Sequence, residues 1–415
     1  MVSPDVLQSS GAGVQTLETE VLIIGGGVTG AGIMRDLALR GIHTLLVDKQ
    51  DLCAGASGGN HGLLHSGGRY VSNDLHAAIE CRVENEILKK LAPQCVEDTG
   101  GIFAAVEGDD LDFACKFPGY CNDAGIKVDE LSINEALSLE PFLSKKLVKA
   151  YRVPDATIDP FRVALENVAH ARAFNDSVYR PHTQIVNFIT KDGVITAAVC
   201  RDNRTGATVH IRAKQFVNAG GAWAMNIAQL AGCTDVHLSY SKGTLLISHD
   251  RMADHVVNRL RPPSDGDILV PGGTVSVLGT TSIRTEELDS VIPTVEEIDR
   301  NVIEGAAMIP ALATARYIRA FSRVRPLLQS GGDSDDREAT RGFALLGHES
   351  QGIENFCTIT GGKLTTFRMM AKNTSDLVAK RLGNSTECQT DKVALPDGDA
   401  CRWTEPGAAP RYWYK

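Results

Sequence analysis

The stretch from Glu20 to Asp48 constrains this chain more than any other. An apolar run, Val21–Ile24, enters Gly25-Gly26-Gly27-Val28-Thr29-Gly30; a helical pattern follows, and a second apolar run closes on Asp48. Strand, glycine turn, helix and strand ending in an acid is the order that holds a dinucleotide. Gly25 permits the tight turn, Gly27 lets backbone N–H groups approach a pyrophosphate, and Gly30 lets the helix pack close to the strand. The helix N-terminus then faces two negative phosphates. Asp48 falls about where ribose hydroxyls should sit. A lone glycine motif is weak evidence, but this one has the right context on both sides.

With 415 residues the chain can bury the cores of two intermixed domains. Its net charge of −9, with no basic run, argues against nucleic acid as a partner. The ten cysteines are scattered and none forms CxxC, which reads as a reduced cytoplasmic protein. No short-spaced thiolate set exists for zinc or an iron–sulfur cluster, so no metal site is expected. Residues 1–18 read as a flexible leader: they lack the basic and apolar regions of a signal peptide. No stretch is long and apolar enough for a spanning helix, which leaves peripheral attachment to a membrane open.

A glycine-rich loop, Ala54–Tyr70, follows Asp48. Further on, the patterns predict helices over 75–91, 109–124, 132–140, 294–308 and 363–382, and strands at Gly101–Val106, across 178–212 and at Phe356–Thr360. Val153–Arg162 reads as a loop running into a helix. Val217–Trp223 repeats the strand-into-glycine-turn theme, which suggests one parallel sheet interrupted by insertions. Residues 236–330 have β-branched runs and read as a mostly antiparallel platform with a helix.

The loop 54–70, the turn 218–223 and the turn 360–366 all point to one nucleotide end. A large, permanently held cofactor such as FAD explains that demand for glycine better than NAD does. The candidate cofactor contacts are Gly25, Gly27, Val28, Thr29, Gly30, Asp48, Lys49, Ser57, Asn60, His61, Gly62, Leu64, Ala219, Gly220, Trp223, Gly361, Gly362, Leu364 and Thr365. Ser57 and Asn60 can bond the pyrophosphate or cap a helix. A helix starting near Gly362–Lys363 would aim N–H groups at the flavin pyrimidine. A second theme is positive charge. Arg69, Arg319, Arg323, Arg325 and Arg341 flank apolar or glycine-rich segments, and Lys363 opens the last helix. Guanidinium groups suit a phosphate or carboxylate bidentately, and Lys adds a point charge. Arg319 and Arg323 read equally as surface charges, His65 as base or solvated loop residue, and Tyr70 as substrate contact or core.

The segments GGGVTGAGIMRDLALRG, HGLLHSGGRY, VPDATIDPFR, SRVRPL, ATRGF and TITGGKLTTFR together resemble the FAD-dependent glycerol-3-phosphate dehydrogenases, and among them the A-subunit family of the bacterial anaerobic enzyme. The resemblance covers roughly residues 18–396. It implies oxidation of sn-glycerol 3-phosphate to dihydroxyacetone phosphate, with hydride passing from C2 to flavin N5 and electrons to a quinone. It implies that Arg325, Arg341 and Arg69, with Tyr70, bind the substrate. It also implies that Lys363, with a neighbour such as His65, binds the C2 hydroxyl, so that Lys363, His65 and Arg325 form the catalytic set. Partner B- and C-type subunits at the inner face of the cytoplasmic membrane are implied too. That family's cysteine-rich C-terminal region has no counterpart before Lys415, since Cys388 and Cys401 cannot hold a four-thiolate cluster. An O2-using flavin oxidase of a hydroxy acid, an amine or glycerol 3-phosphate is the alternative reading. The expected fold is α/β: a Rossmann-like FAD-binding domain (19–100, 150–235 and 340–383) with an inserted antiparallel-sheet substrate domain (101–149 and 236–339), as in amino-acid oxidases. Residues 384–415 form a C-terminal tail.

Overall fold

A computed structural model describes residues 15–328 and 342–396. The strand Gln15–Ile24 lies inside an eight-stranded sheet, flanked by the parallel strands Thr44–Val47 and Thr208–Asn218. Val178–Arg180 and Phe356–Gly361 extend this parallel ribbon outward. Strands Thr183–Lys191, Val194–Asp202 and Phe343–Leu346 pair antiparallel at its margins. Successive side chains of a strand point to opposite faces. Val21, Ile23, Leu46 and Val217 therefore enter one core, and Leu22, Ile24, Val47 and Phe216 the other. Both faces are covered, so the run is apolar without alternation.

The helix Val28–Leu39 packs between the helices Pro160–Asn175 and Phe367–Arg381. A Cβ on its Gly32 would lie 3.0 Å from Ala371 Cβ and 3.1 Å from the Phe367 ring. Ile24 pairs with both Val47 and Asn218, and Asn218 with Thr358. The turns after Ile24, Asn218 and Gly361 therefore open on one edge, at the carboxyl ends of the strands. Ligands of such sheets bind there.

A second sheet has nine strands, drawn from 101–153 and 238–328. It is antiparallel except where Val256–Arg259 runs beside Gly101–Val106. Its long strands Leu238–Ser248 and Tyr317–Leu328 pair along their length. Leu147–Val153 straddles residue 150. The helix Val295–Met308 starts at Thr294, whose hydroxyl accepts from Glu297 N–H while the Glu297 carboxylate accepts from Thr294 N–H. A three-stranded sheet of Leu63–Leu64, Ala156–Ile158 and Val96–Glu97 anchors the glycine-rich loop.

Three expectations about elements need correction. Residues 15–18 are not leader: the first strand begins at Gln15, where Gln15–Glu18 pair with Val209–Arg212. The last helix begins at Phe367, not Lys363. Gly361 and Gly362 have φ of +82° and +71°, and the Thr366 hydroxyl accepts from Lys363 N–H at 3.2 Å, so 361–366 is a turn. The 153–162 segment holds the strand Ala156–Ile158, too short for periodicity to reveal, before Asp159 caps the next helix.

The helix Leu75–Leu91 is tied to the last helix by a buried pair. Glu84 accepts from Arg368 at 2.9 and 2.5 Å. Burial raises the Glu84 pKa, and Arg368 opposes that rise. Glu84→Ala strands the guanidinium in the core. It is expected to destabilise the protein by about 3–5 kcal/mol, read as a lowered Tm; an unchanged Tm would contradict the pairing. Among the described residues no helix is long and apolar enough to cross a membrane.

Candidate active site

The glycine turns and the platform enclose a cleft of about 830 Å³, large for a small-molecule site. At its floor Gly25 takes φ +113°, and its N–H donates to Val47 C=O at 2.8 Å. Gly27, Val28 and Thr29 line the cleft. Gly30 does not: it lies behind the turn, where a Cβ would sit 1.9 Å from the Gly25 carbonyl oxygen. Asp48 accepts from Gly26 N–H and Gln50 N–H, each at 2.7 Å, and so braces the turn. Burial raises its pKa, and those two N–H groups work against the rise. Two of its roughly four lone-pair sites are left for hydroxyl groups.

At the same end Lys49 stands 3.7 Å above the Trp223 ring and pairs with Asp289 at 2.6 Å. Trp223 Nε1 donates to the same carboxylate at 3.1 Å. Asp289 comes from the platform side, 240 residues from Lys49, and no sequence signal marked it. Ala219 and Gly220 line the cleft beside Trp223.

The glycine-rich loop is braced by its own polar groups. Ser57 Oγ accepts from Val28 N–H at 3.1 Å, so it caps the first helix. Asn60 donates to the carbonyls of Ala56 and Ser57 and accepts from Gly62 N–H, so it shapes the loop. His61 lines the cleft. Gly62 lies behind it, its Cβ position 2.8 Å from Ile158 O. Leu64 is in the core; alternation along Leu63–Leu64 turns Leu63 to the cleft instead. Thr365 is fully buried. Its hydroxyl accepts from His65 N–H at 3.0 Å, so it sets the loop and does not line the cleft. Gly361, Gly362 and Leu364 do line it.

Arg69, Arg325 and Lys363, from three segments, also line this cleft. Arg325 donates to Thr281 C=O at 2.7 Å and to Ser241 Oγ at 3.2 Å. Arg69 donates to Asp267 at 2.9 Å, and Arg261 holds the other oxygen of that carboxylate at 2.7 Å. The Lys363 ammonium lies 5.0 Å from the centre of the Tyr70 ring. The Tyr70 hydroxyl is 3.3 Å from His65 Nε2. Arg323 packs over Gly59 and donates to Ala54 C=O, bracing the loop from outside. Arg319 lies over the Phe321 ring, away from the cleft. Arg341 lies outside the described residues. Sequence reasoning missed Thr280, Ser264 and Asp267; the first two line the cleft, and Asp267 holds Arg69.

Residues 20–377 match the family model described as FAD dependent oxidoreductase. The chain belongs to that family. It is 43% identical over 381 residues to the A subunit of the anaerobic glycerol-3-phosphate dehydrogenase of Escherichia coli, covering 91% of this chain and 70% of that one. Among solved structures, the glycerol-3-phosphate dehydrogenase from Bacillus halodurans complexed with FAD superposes with a TM-score of 0.67 at 24% identity, covering 91% of this chain and 67% of that chain. L-alpha-glycerophosphate oxidase from Mycoplasma pneumoniae with FAD bound gives 0.72 at 19%, covering 92% and 99%. This is the amino-acid-oxidase-like α/β architecture, and FAD is the cofactor of the family. The residues here fit FAD. The helix N-terminus at Val28 supplies positive dipole for the pyrophosphate, and at Gly25 a Cβ would lie 2.4 Å from Ala219 O, so the turn packs backbone to backbone beside the cleft.

Proposed function

We propose that this oxidoreductase converts sn-glycerol 3-phosphate to dihydroxyacetone phosphate. The observation that carries the reading is that Arg69, Arg325 and Lys363 all line the cleft that the glycine turns enclose. Gly25, Gly27, Val28, Thr29, Asp48, Ala219 and Gly220 would hold the dinucleotide part of FAD, and the 361–364 turn its flavin end. When bound, FAD would supply the two-electron oxidant for the C2 hydride. The protein supplies the rest. Arg325 and Arg69 grip the phosphate, which fixes C2 and uses remote binding energy for orientation. Lys363 holds the C2 hydroxyl and stabilises negative charge as its proton leaves. His65, whose Nε2 lies 3.3 Å from the Tyr70 hydroxyl and whose backbone N–H bonds Thr365, takes that proton.

In this reading residues 19–100, 154–235 and 342–383 hold FAD, and 101–153 with 236–328 form the substrate domain, the expected boundary at 150 moving to the end of the strand Leu147–Val153. Electrons pass to a quinone through B- and C-type subunits. The chain sits on the inner face of the cytoplasmic membrane through those partners. A steady-state comparison tests the proposal. Dye-linked turnover should require the phosphate, with glycerol at least about a thousandfold poorer in kcat/KM, and should yield little peroxide. Equal rates with a small hydroxy acid would refute the substrate; stoichiometric peroxide would assign the chain to the oxidases.

A further inference from the structure

Glu297 is a buried acid with more partners than its helix cap requires. One carboxylate oxygen accepts from Lys242 Nζ at 2.8 Å and from Thr294 N–H at 2.9 Å. The other accepts from the hydroxyls of Thr244 at 2.9 Å and Thr281 at 3.1 Å. Those four donors fill the roughly four lone-pair sites of a carboxylate. Burial alone would raise the Glu297 pKa; the bonds from Lys242, Thr294 and Thr244 outweigh it, so the group stays charged. Thr281 is the link to the cleft. Its hydroxyl donates to Glu297 and accepts from Thr244 N–H at 3.0 Å, and its carbonyl accepts from Arg325 at 2.7 Å. The buried acid and the cleft arginine thus hold one residue from two sides.

The strand register supplies the rest of the seat. Ser241 pairs with Arg325, Gly243 with Arg323, and Thr244 with Ser322. Side chains alternate along each strand, so Ser241, Gly243 and Arg325 share one face. Thr244 and Ser322 share the other, where their hydroxyls lie 2.7 Å apart beside Glu297. Gly243 is the diagonal neighbour of Arg325. A Cβ on Gly243 would lie 3.1 Å from Arg325 Nη2 and 2.6 Å from Thr280 Oγ1. Gly243 does not take a left-handed φ, so its backbone would accept alanine; the guanidinium and the Thr280 hydroxyl occupy the space instead. We propose that Gly243 and Glu297 are positioning residues for Arg325: Glu297 fixes the Thr281 carbonyl on which the guanidinium rests, and Gly243 leaves the room that its Nη2 end fills. The inference rests on the phosphate-binding role proposed for Arg325. A preset guanidinium spares the substrate the ordering of a long side chain, and a small misplacement of such a group is felt strongly in turnover.

A double-mutant cycle on the holoenzyme tests this. Dye-linked turnover of glycerol 3-phosphate is measured for Gly243→Ala and Glu297→Gln, each with Arg325 present and in Arg325→Ala, with the flavin-to-protein ratio alongside. With Arg325 present, each variant should keep its flavin and lower kcat/KM about tenfold, mainly through KM. In Arg325→Ala the same change should cost less than about twofold, because there is no guanidinium left to seat. Glu297 also closes a helix cap, so the cycle is read instead of Tm: a merely structural defect lowers activity by the same factor in both backgrounds. For either variant, an equal loss in both backgrounds, or no loss with Arg325 present, overturns the proposal. Should Glu297→Gln fail to fold, Gly243→Ala decides alone; the Arg325 and Thr280 atoms that its methyl meets are side-chain ends that can shift, so the fold should hold. Failure of the substrate reading looks different. If Arg325→Ala by itself leaves kcat/KM unchanged, Arg325 is not at the phosphate and this inference falls with that role. If Arg325→Ala loses activity and the two variants cost the same factor beside it, only the seat has been misassigned.

Discussion

Arg325→Ala is expected to lower kcat/KM for glycerol 3-phosphate about 30- to 800-fold, mostly by raising KM, with flavin content unchanged. The guanidinium is set in advance: Thr281 C=O and Ser241 Oγ hold it at 2.7 and 3.2 Å. The substrate therefore does not have to order it. Losing a charge-assisted, two-pronged contact to a phosphate costs about 2–4 kcal/mol, and each 1.4 kcal/mol is about tenfold. The phosphate does not react, so part of the loss falls on kcat through poorer placement of C2. Arg325→Lys keeps the charge but not the planar fork, and should fall between wild type and Ala. The side chain lies on the platform, away from the pyrophosphate turn, which is why FAD should be retained. Steady-state kinetics at saturating dye, with the flavin-to-protein ratio measured alongside, check this. An unchanged KM would remove Arg325 from the phosphate site.

Gly25→Val should yield folded, colourless protein. At φ +113° a β-branched side chain is strained before it meets anything. Its Cβ would then lie 2.4 Å from the Ala219 carbonyl oxygen. That oxygen belongs to the backbone of the neighbouring glycine turn and cannot rotate away, so two walls of the cofactor cleft must part. Gly27 differs. A Cβ there meets Ser57 Oγ at 2.9 Å, and a hydroxyl can turn aside. Gly27→Ala is therefore expected to keep more FAD than Gly25→Ala. Absorbance of the purified variants reads the order directly. A yellow Gly25→Val protein, or the reverse order for the alanine pair, would contradict the geometry.

The nucleotide half of the fold was legible because its signals are local. The apolar runs at Val21–Ile24 and Thr44–Val47, the turn between them, and the helices 75–91 and 294–308 each follow from a few adjacent residues. The platform was legible only as texture. Its strand order depends on Val256–Arg259 pairing in parallel with Gly101–Val106, a contact that no local pattern encodes. Site residues divide the same way. Arg69, Arg325 and Lys363 stood out by charge in apolar or glycine-rich surroundings, and the structure brings all three to one cleft. Asp267 and Asp289 did not, because each acts on a partner some two hundred residues away. Leu63 and Leu64 are alike in sequence and differ only in which face the strand gives them. The start of the last helix was misjudged because Lys363 and Leu364 suit a helix, whereas the left-handed Gly361–Gly362 pair decides that the chain must turn first.

The account stands on an FAD in this cleft that glycerol 3-phosphate can reach and reduce. Anaerobic mixing of the purified holoenzyme with glycerol 3-phosphate measures that step without any assumption about the acceptor. The yellow absorbance should bleach rapidly and completely, and should not bleach with glycerol. A flavin that stays oxidised in saturating glycerol 3-phosphate would contradict it.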